Sequence, residues 1–361
     1  MSEPDKVLVV GPSWVGDMVM AQSLYRLLKE RTPAPEIHVI APPWSLPVLA
    51  RMPEVARGIE LPLAHGELGL RRRYALGARL RSEHYRQAIV LPRSAKAALV
   101  PFFARVPRRT GFRGEWRYGL LNDMRRADPQ LDQTVKRFAV LGQDRTQQAL
   151  PELQLLRPRL DVDSVNQTRL WRELDLQTDR RMVALMPGAE YGPAKRWPLE
   201  RFAELAARLA GAGIGVLILG SEKERALGEE VRGASASALV RNLCGATTLA
   251  DAIDVLARVD TAVSNDSGLM HIAAATTAHV VAIYGSSSPS FTPPLTDAQT
   301  ALYRALECSP CFERVCPLQH LRCLREISTA AVLDAVLASF ERRPHGPTLV
   351  NARQSSIGGP G

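Results

Sequence analysis

The chain has 361 residues, 46% apolar and 23% charged, enough to bury a core in each of two domains and inconsistent with a disordered chain or one small module. Its formal charge of +9 belongs wholly to the first part, because residues 1–160 sum to +11 and residues 161–361 to −2. No apolar run reaches the roughly 20 residues of a membrane-spanning helix, and the start Met1-Ser2-Glu3-Pro4-Asp5-Lys6 has no basic leader, so a cytoplasmic chain is expected.

Residues 6–10 form a short β-branched run stopped by Gly11-Pro12, and the apolar spacing over 18–29 predicts an amphipathic helix. Residues 37–40 and 88–91 repeat the buried-strand pattern, each followed by a proline and a turn. A polar stretch around 150–180, with Pro151 and Pro158, reads as the connection between domains. The alternation then restarts: strand 182–186, helix 199–211, strand 215–219, helix 222–232, helix 248–258, strand 261–264, helix 268–276 and strand 280–284. A helix at 329–342 closes the fold, and the tail from Pro344 is expected to fray. This pattern predicts two doubly wound α/β units in tandem, each with a parallel sheet covered on both faces.

In such sheets ligands bind beyond the carboxyl ends of the strands, so loops 11–17, 187–196, 220–222 and 265–268 are expected to line one cleft. The first loop, Gly11-Pro12-Ser13-Trp14-Val15-Gly16-Asp17, lacks both the dinucleotide fingerprint and the P-loop pattern. What it presents is Asp17 at a helix start, either as a capping acid or as a general base in the cleft, with Gly16 allowing close approach. The second loop carries Lys195-Arg196-Trp197, two cations among small residues that suit a diphosphate; the alternative is a solvated basic pair with Trp197 in the core. The third, Asn265-Asp266-Ser267-Gly268-Leu269-Met270-His271, opens a small-residue helix whose free N–H groups suit phosphate, with His271 facing either a ligand or the core. Glu222 stands where an acid can take ribose hydroxyls, or simply begins a helix.

Cys308, Cys311, Cys316 and Cys323 have the spacing C-x2-C-x4-C-x6-C, compatible with structural zinc, with free thiols or with disulfides; Cys244 reads as a buried thiol. Residues 71–120 hold 13 Lys or Arg against Glu83 and Glu115. Such a field draws an anionic membrane, a phosphorylated glycan or nucleic acid, unless it is only a solvated face.

Taken together, the three loop motifs resemble those of the lipopolysaccharide ADP-heptose heptosyltransferases, over about residues 6–342. The resemblance implies a GT-B fold, with two Rossmann-like domains facing across a cleft. Residues 1–165 would bind the acceptor, 166–343 the nucleotide sugar, and 344–361 would be a flexible tail. The implied reaction is inverting transfer of L-glycero-D-manno-heptose from ADP-heptose to the first heptose of the inner core on lipid A, with no metal required. Asp17 would be the base and Lys195 the diphosphate contact. The donor would also be held by Glu190, Arg196, Glu222, Asp266, Ser267, Gly268, Leu269 and His271. The acceptor would meet Ser13, Trp14, Gly16, Arg93, Lys96, Arg113 and Arg117, at the cytoplasmic face of an anionic inner membrane and without nucleic acid. Competing expectations are a GT-B enzyme with another donor or acceptor, and a non-catalytic basic protein that binds polyanions.

Overall fold

The structure, a computed structural model, describes residues 5–63, 66–144, 157–176 and 179–341. The first half runs β1 (Lys6–Val10), α1 (Val15–Lys29), β2 (Glu36–Ala41), α2 (Leu46–Leu49), β3 (Val55–Glu60), α3 (Leu70–Arg79), β4 (Gln87–Val90), α4 (Leu99–Phe103), β5 (Arg108–Phe112), β6 (Asp123–Arg125) and α5 (Thr134–Val140). The second runs α6 (Ser164–Glu173), β7 (Met182–Met186), α7 (Leu199–Gly211), β8 (Gly215–Ile218), α8 (Arg225–Ser235), β9 (Val240–Asn242), α9 (Leu249–Leu256), β10 (Thr261–Asn265), α10 (Gly268–Ala274), β11 (His279–Tyr284), β12 (Gln299–Tyr303), α11 (Arg322–Arg325) and α12 (Thr329–Glu341).

Each half holds one six-stranded sheet in which every pairing is parallel. The orders are β3-β2-β1-β4-β5-β6 and β12-β11-β10-β7-β8-β9, the same doubly wound topology twice. The central strands are buried along almost their whole length, β7 and β10 as Met-Val-Ala-Leu-Met and Thr-Ala-Val-Ser-Asn, because helices cover both faces. The helices that cover them carry apolar stripes: in α7, Phe202, Leu205, Ala206 and Leu209 recur at helical spacing and are all fully buried. Burying each Leu or Phe in this way stabilises the fold by roughly 1.5–3 kcal/mol.

In both sheets the winding reverses between the first strand and the fourth, at β1/β4 and at β7/β10, which is where a doubly wound sheet opens a ligand crevice. The loops after β1, β7 and β10 are the three motif-bearing segments, so topology alone brings them to the switch points.

Some boundaries differ from those expected. The helix expected over 222–232 is split, because Ser221 and Glu224 form a capping box around a 3-10 turn at Glu222–Glu224 before α8 begins. The domain boundary expected after residue 165 falls inside the first turn of α6, whose cap Asp163 accepts from the backbone of Val165 and Asn166. Asn166 and Gln167 bond Asp254 of the second half, so α6 belongs there from its start. The expected tail at 344–361, and part of the expected connection at 150–180, lie outside the described residues.

Candidate active site

The amino ends of α1 and α10 meet at the seam between the two halves. Gly16, in the first turn of α1, and Gly268, the first residue of α10, make this approach possible. A Cβ at position 16 would lie 2.7 Å from His271 Cδ2, and one at position 268 would lie 3.1 Å from Val15 Cβ. A side chain at position 16 would collide with the His271 ring unless that ring moved, and one at position 268 would press on Val15.

Asp17 follows Gly16. It does not cap α1: Trp14 occupies the cap position, and the Asp17 carboxyl has no hydrogen-bond partner among the described residues. Burial pushes its pKa from 3.8 up to about 6, with Lys195 opposing the rise and Asp266 adding to it. Those two groups come from the other half, so the carboxyl of the first half is coupled across the seam to an ion pair of the second.

In that pair Lys195 Nζ lies 2.5 Å from Asp266 Oδ2, and both side chains are largely buried. The loop that carries Lys195 is held on several sides. Asn265 accepts from the Trp197 backbone N–H at 2.9 Å and donates to the Pro187 carbonyl at 2.7 Å. The buried Trp197 indole donates to the Ile327 carbonyl at 2.9 Å. His271 Nε2 stands 3.9 Å from Asp266 Oδ1. Burial lowers the His271 pKa to about 4, against the pull of Asp266 and with help from Lys195, so its imidazole is neutral near pH 7.

Tyr191, assigned no role from sequence, stands between two cations. Lys195 Nζ lies 4.9 Å and Arg314 Cζ 5.0 Å from its ring centroid, and its hydroxyl donates to the Phe312 carbonyl at 2.6 Å. Arg314 is exposed and makes no ion pair among the described residues. Its backbone carbonyl accepts from Ala194 N at 3.1 Å. The cysteine-bearing segment is therefore the wall against which the Lys195 loop folds, and it brings a second cation towards the site.

Several residues expected at the site have other occupations. The Arg196 guanidinium donates twice to the Ala189 carbonyl, at 3.1 and 3.0 Å, and so shapes the loop. Glu190 is exposed, 4.0 Å from Lys223. Glu222 is exposed and held by Arg225 at 2.6 and 2.8 Å, which keeps its carboxyl below the usual range. The acid nearer the β7 loop is Glu224: a Cβ at Gly188 would meet its Oε1 at 1.6 Å. Ser267 pairs with Ser264 at 3.2 Å, and Leu269 packs on the core.

On the other wall Ser13 and Trp14 are exposed, and the Ser13 carbonyl accepts from Trp44 Nε1 at 2.9 Å. Arg93 reaches the Arg113 carbonyl at 3.4 Å, and Arg113 lies 5.8 Å from the Tyr118 ring. The Lys96 ammonium makes no polar contact among the described residues. Arg117 corrects the expectation of an acceptor contact. It is 1% exposed, its guanidinium is spent on the carbonyls of Pro92, Ser94 and Phe112, and burial lowers its pKa to about 10. It ties the end of β5 to the loop after β4.

The expectation of zinc at the cysteines finds no ligand set. All four thiols line one small cavity with Ala194 and Ser286, yet among the described residues no three His, Cys, Asp or Glu side chains are placed to hold a metal ion. Their chemistry also diverges: backbone N–H groups of residues 318–321 draw the Cys316 thiol towards thiolate against its desolvation, while burial pushes Cys323 the other way. All four are free thiols, as is the buried Cys244.

Residues 73–322 match glycosyltransferase family 9 (heptosyltransferase). The chain is 49% identical over 299 residues to lipopolysaccharide heptosyltransferase 2 of Escherichia coli K12, covering 81% of this chain and 86% of that one. It is 44% identical over 306 residues to lipooligosaccharide heptosyltransferase 2 of Haemophilus influenzae, covering 82% and 88%. Among solved structures, that of E. coli ADP-heptose LPS heptosyltransferase II superposes with a TM-score of 0.83 at 42% identity, over 93% of this chain and 99% of that one.

Proposed function

The chain belongs to glycosyltransferase family 9, and from that premise we propose that it transfers L-glycero-D-manno-heptose from ADP-heptose to the first heptose of the lipopolysaccharide inner core. The acceptor hydroxyl forms the new bond to the anomeric carbon while the bond from that carbon to the diphosphate oxygen breaks, and ADP leaves with the electron pair. Asp17 takes the hydroxyl proton. The observation that carries this role is its otherwise unbonded carboxyl at the seam, with a pKa of about 6 set by burial and by charges on the opposite wall.

Charge on the departing diphosphate falls to Lys195, assisted by Arg314 and by the amino end of α10. Asp266 positions Lys195 before the donor arrives. His271 stays neutral, so it orients groups by hydrogen bonding without adding charge. Lys96, Arg93 and Arg113 meet the acidic, phosphorylated acceptor, and the basic first half works at the cytoplasmic face of the inner membrane, where that acceptor is anchored. No step needs a metal ion.

The test is ADP release from ADP-heptose with an inner-core acceptor bearing one heptose, set beside a heptose-free acceptor and beside UDP- and GDP-sugars. Turnover confined to the first pairing is expected. Equal turnover with the heptose-free acceptor, or none with ADP-heptose, would overturn the assignment.

A further inference from the structure

The outer surface formed by α3 and α4 has a composition that the transfer reaction does not explain. Leu68, Leu70, Tyr74 and Phe102 are 55%, 51%, 52% and 41% exposed. Leu70 and Tyr74, four residues apart, form one apolar stripe on α3. The rings continue it across both helices: Tyr74 packs edge-on against Phe103 at 5.2 Å, and Phe103 against Phe102 at 5.7 Å. Arginines cover both ends of this ladder, Arg81 6.0 Å from the Tyr74 ring and Arg109 5.7 Å from that of Phe102. Arg81 also donates to the Phe103 carbonyl at 2.9 Å. The surface is firm as well, because Gly77 lets α3 approach α4 so closely that a Cβ there would lie 2.5 Å from Phe103 Cβ.

Around the rings the charge is of one sign. Arg71, Arg79 and Arg105 are exposed and have no counter-ion among the described residues. The nearby acids are engaged: Glu83 with Lys6 and Arg57, Glu67 with Arg72, and Glu115 with the backbone N–H of Ala95. Exposed apolar and aromatic groups ringed by unpaired arginines match the layered chemistry of a bilayer surface, where rings settle at headgroup depth and guanidinium groups meet phosphate.

We infer that the α3–α4 face is a docking surface for an anionic lipid bilayer, with Leu70, Tyr74 and Phe102 entering the headgroup layer and Arg71, Arg79 and Arg105 pairing with lipid phosphates. The inference deepens the lipid-linked acceptor reading above and rests on it. It separates the surface that holds the membrane from Lys96 and Arg113, which hold the acceptor.

The test is flotation of the full chain with phosphatidylcholine vesicles containing or lacking phosphatidylglycerol, together with transfer to a delipidated, water-soluble acceptor. Binding at least about tenfold stronger to the anionic vesicles is expected. A Leu70→Ser, Tyr74→Ser, Phe102→Ser variant should lose at least about tenfold of that binding while transferring to the soluble acceptor as the native chain does. An Arg71→Gln, Arg79→Gln, Arg105→Gln variant, changed only at exposed side chains, provides the same reading should the first variant fail to fold. Equal binding to both vesicle types, native binding by either folded variant, or displacement of the chain from vesicles by single-stranded RNA would overturn the inference. Failure of transfer to the soluble acceptor by the native chain would instead strike the proposed reaction.

Discussion

The two halves share one strand order, yet their switch points are built differently. Beside β7 and β10 nearly every polar group is already engaged: Asn265 bridges two loops, Trp197 is anchored, and Lys195 is held by Asp266. Beside β1 and β4 the groups wait: among the described residues the Asp17 carboxyl has no hydrogen-bond partner, the Lys96 ammonium has no polar contact, and the Arg93 guanidinium has only a long bond to a carbonyl. A wall fixed in advance suits a donor of one shape, because ordering costs are met in folding and not in binding. A wall of unspent cations suits a large, variably decorated anionic acceptor. The comparison also fits the base role proposed for Asp17 on the sparse wall: a buried carboxyl without hydrogen-bond partners keeps the raised pKa that proton transfer near neutral pH requires.

The largest expected effect breaks the sparse wall. Asp17→Asn should lower turnover by at least about 100-fold with little change in ADP affinity. Stability gives an independent reading. The folded-state pKa of Asp17 lies above its unfolded value, so the ionised carboxyl costs stability above about pH 6, and that cost fades as pH falls towards 3.8. The Asn variant should therefore melt at a higher temperature than the native chain at pH 8, by an amount worth up to about 3 kcal/mol, and the gap should close near pH 4. Near-native turnover, or a variant less stable at pH 8, would remove Asp17 from the role.

Next comes the engaged wall. Lys195→Ala removes a charge-assisted contact and leaves Asp266 unpaired, so ADP should bind about 10- to 100-fold more weakly by calorimetry. Unchanged affinity would mean that the ammonium does not touch the diphosphate. The smallest effect concerns the acceptor cations. Lys96→Gln should raise KM for the acceptor by up to about tenfold, leaving kcat and donor affinity intact, because one solvated cation contributes little more. A fall in kcat instead would place Lys96 at the reacting atoms.

How much of this the residue pattern discloses depends on burial. Strands β1, β7, β8 and β11 are legible as nearly continuous apolar runs because both of their faces are covered. β3, reading Val-Ala-Arg-Gly-Ile-Glu, and β12 are edge strands with exposed or half-exposed residues, and their pattern resembles a loop. Lys195 and Asp266 could be singled out because each sits in a short segment between a strand and a helix, and Asp17 because it stands in the first turn of the helix that follows β1. Arg117 misleads, since its charge is visible in the sequence and its burial among carbonyls is not. Glu222 and Glu224 are two residues apart, and only the capping box turns the second towards Gly188. The Tyr191–Arg314 contact joins positions more than a hundred residues apart, with the cysteines drawing attention to metal chemistry instead.

The coupling across the seam can be measured most directly as the pH dependence of kcat/KM for the native chain and for Asp266→Asn. Asp266 raises the pKa of Asp17 and Lys195 lowers it. The native acid limb should therefore lie near pH 6 and move to lower pH in the Asp266→Asn enzyme, with the Lys195→Ala limb moving the other way. Limbs that coincide in all three proteins would contradict a base on one wall tuned by an ion pair on the other.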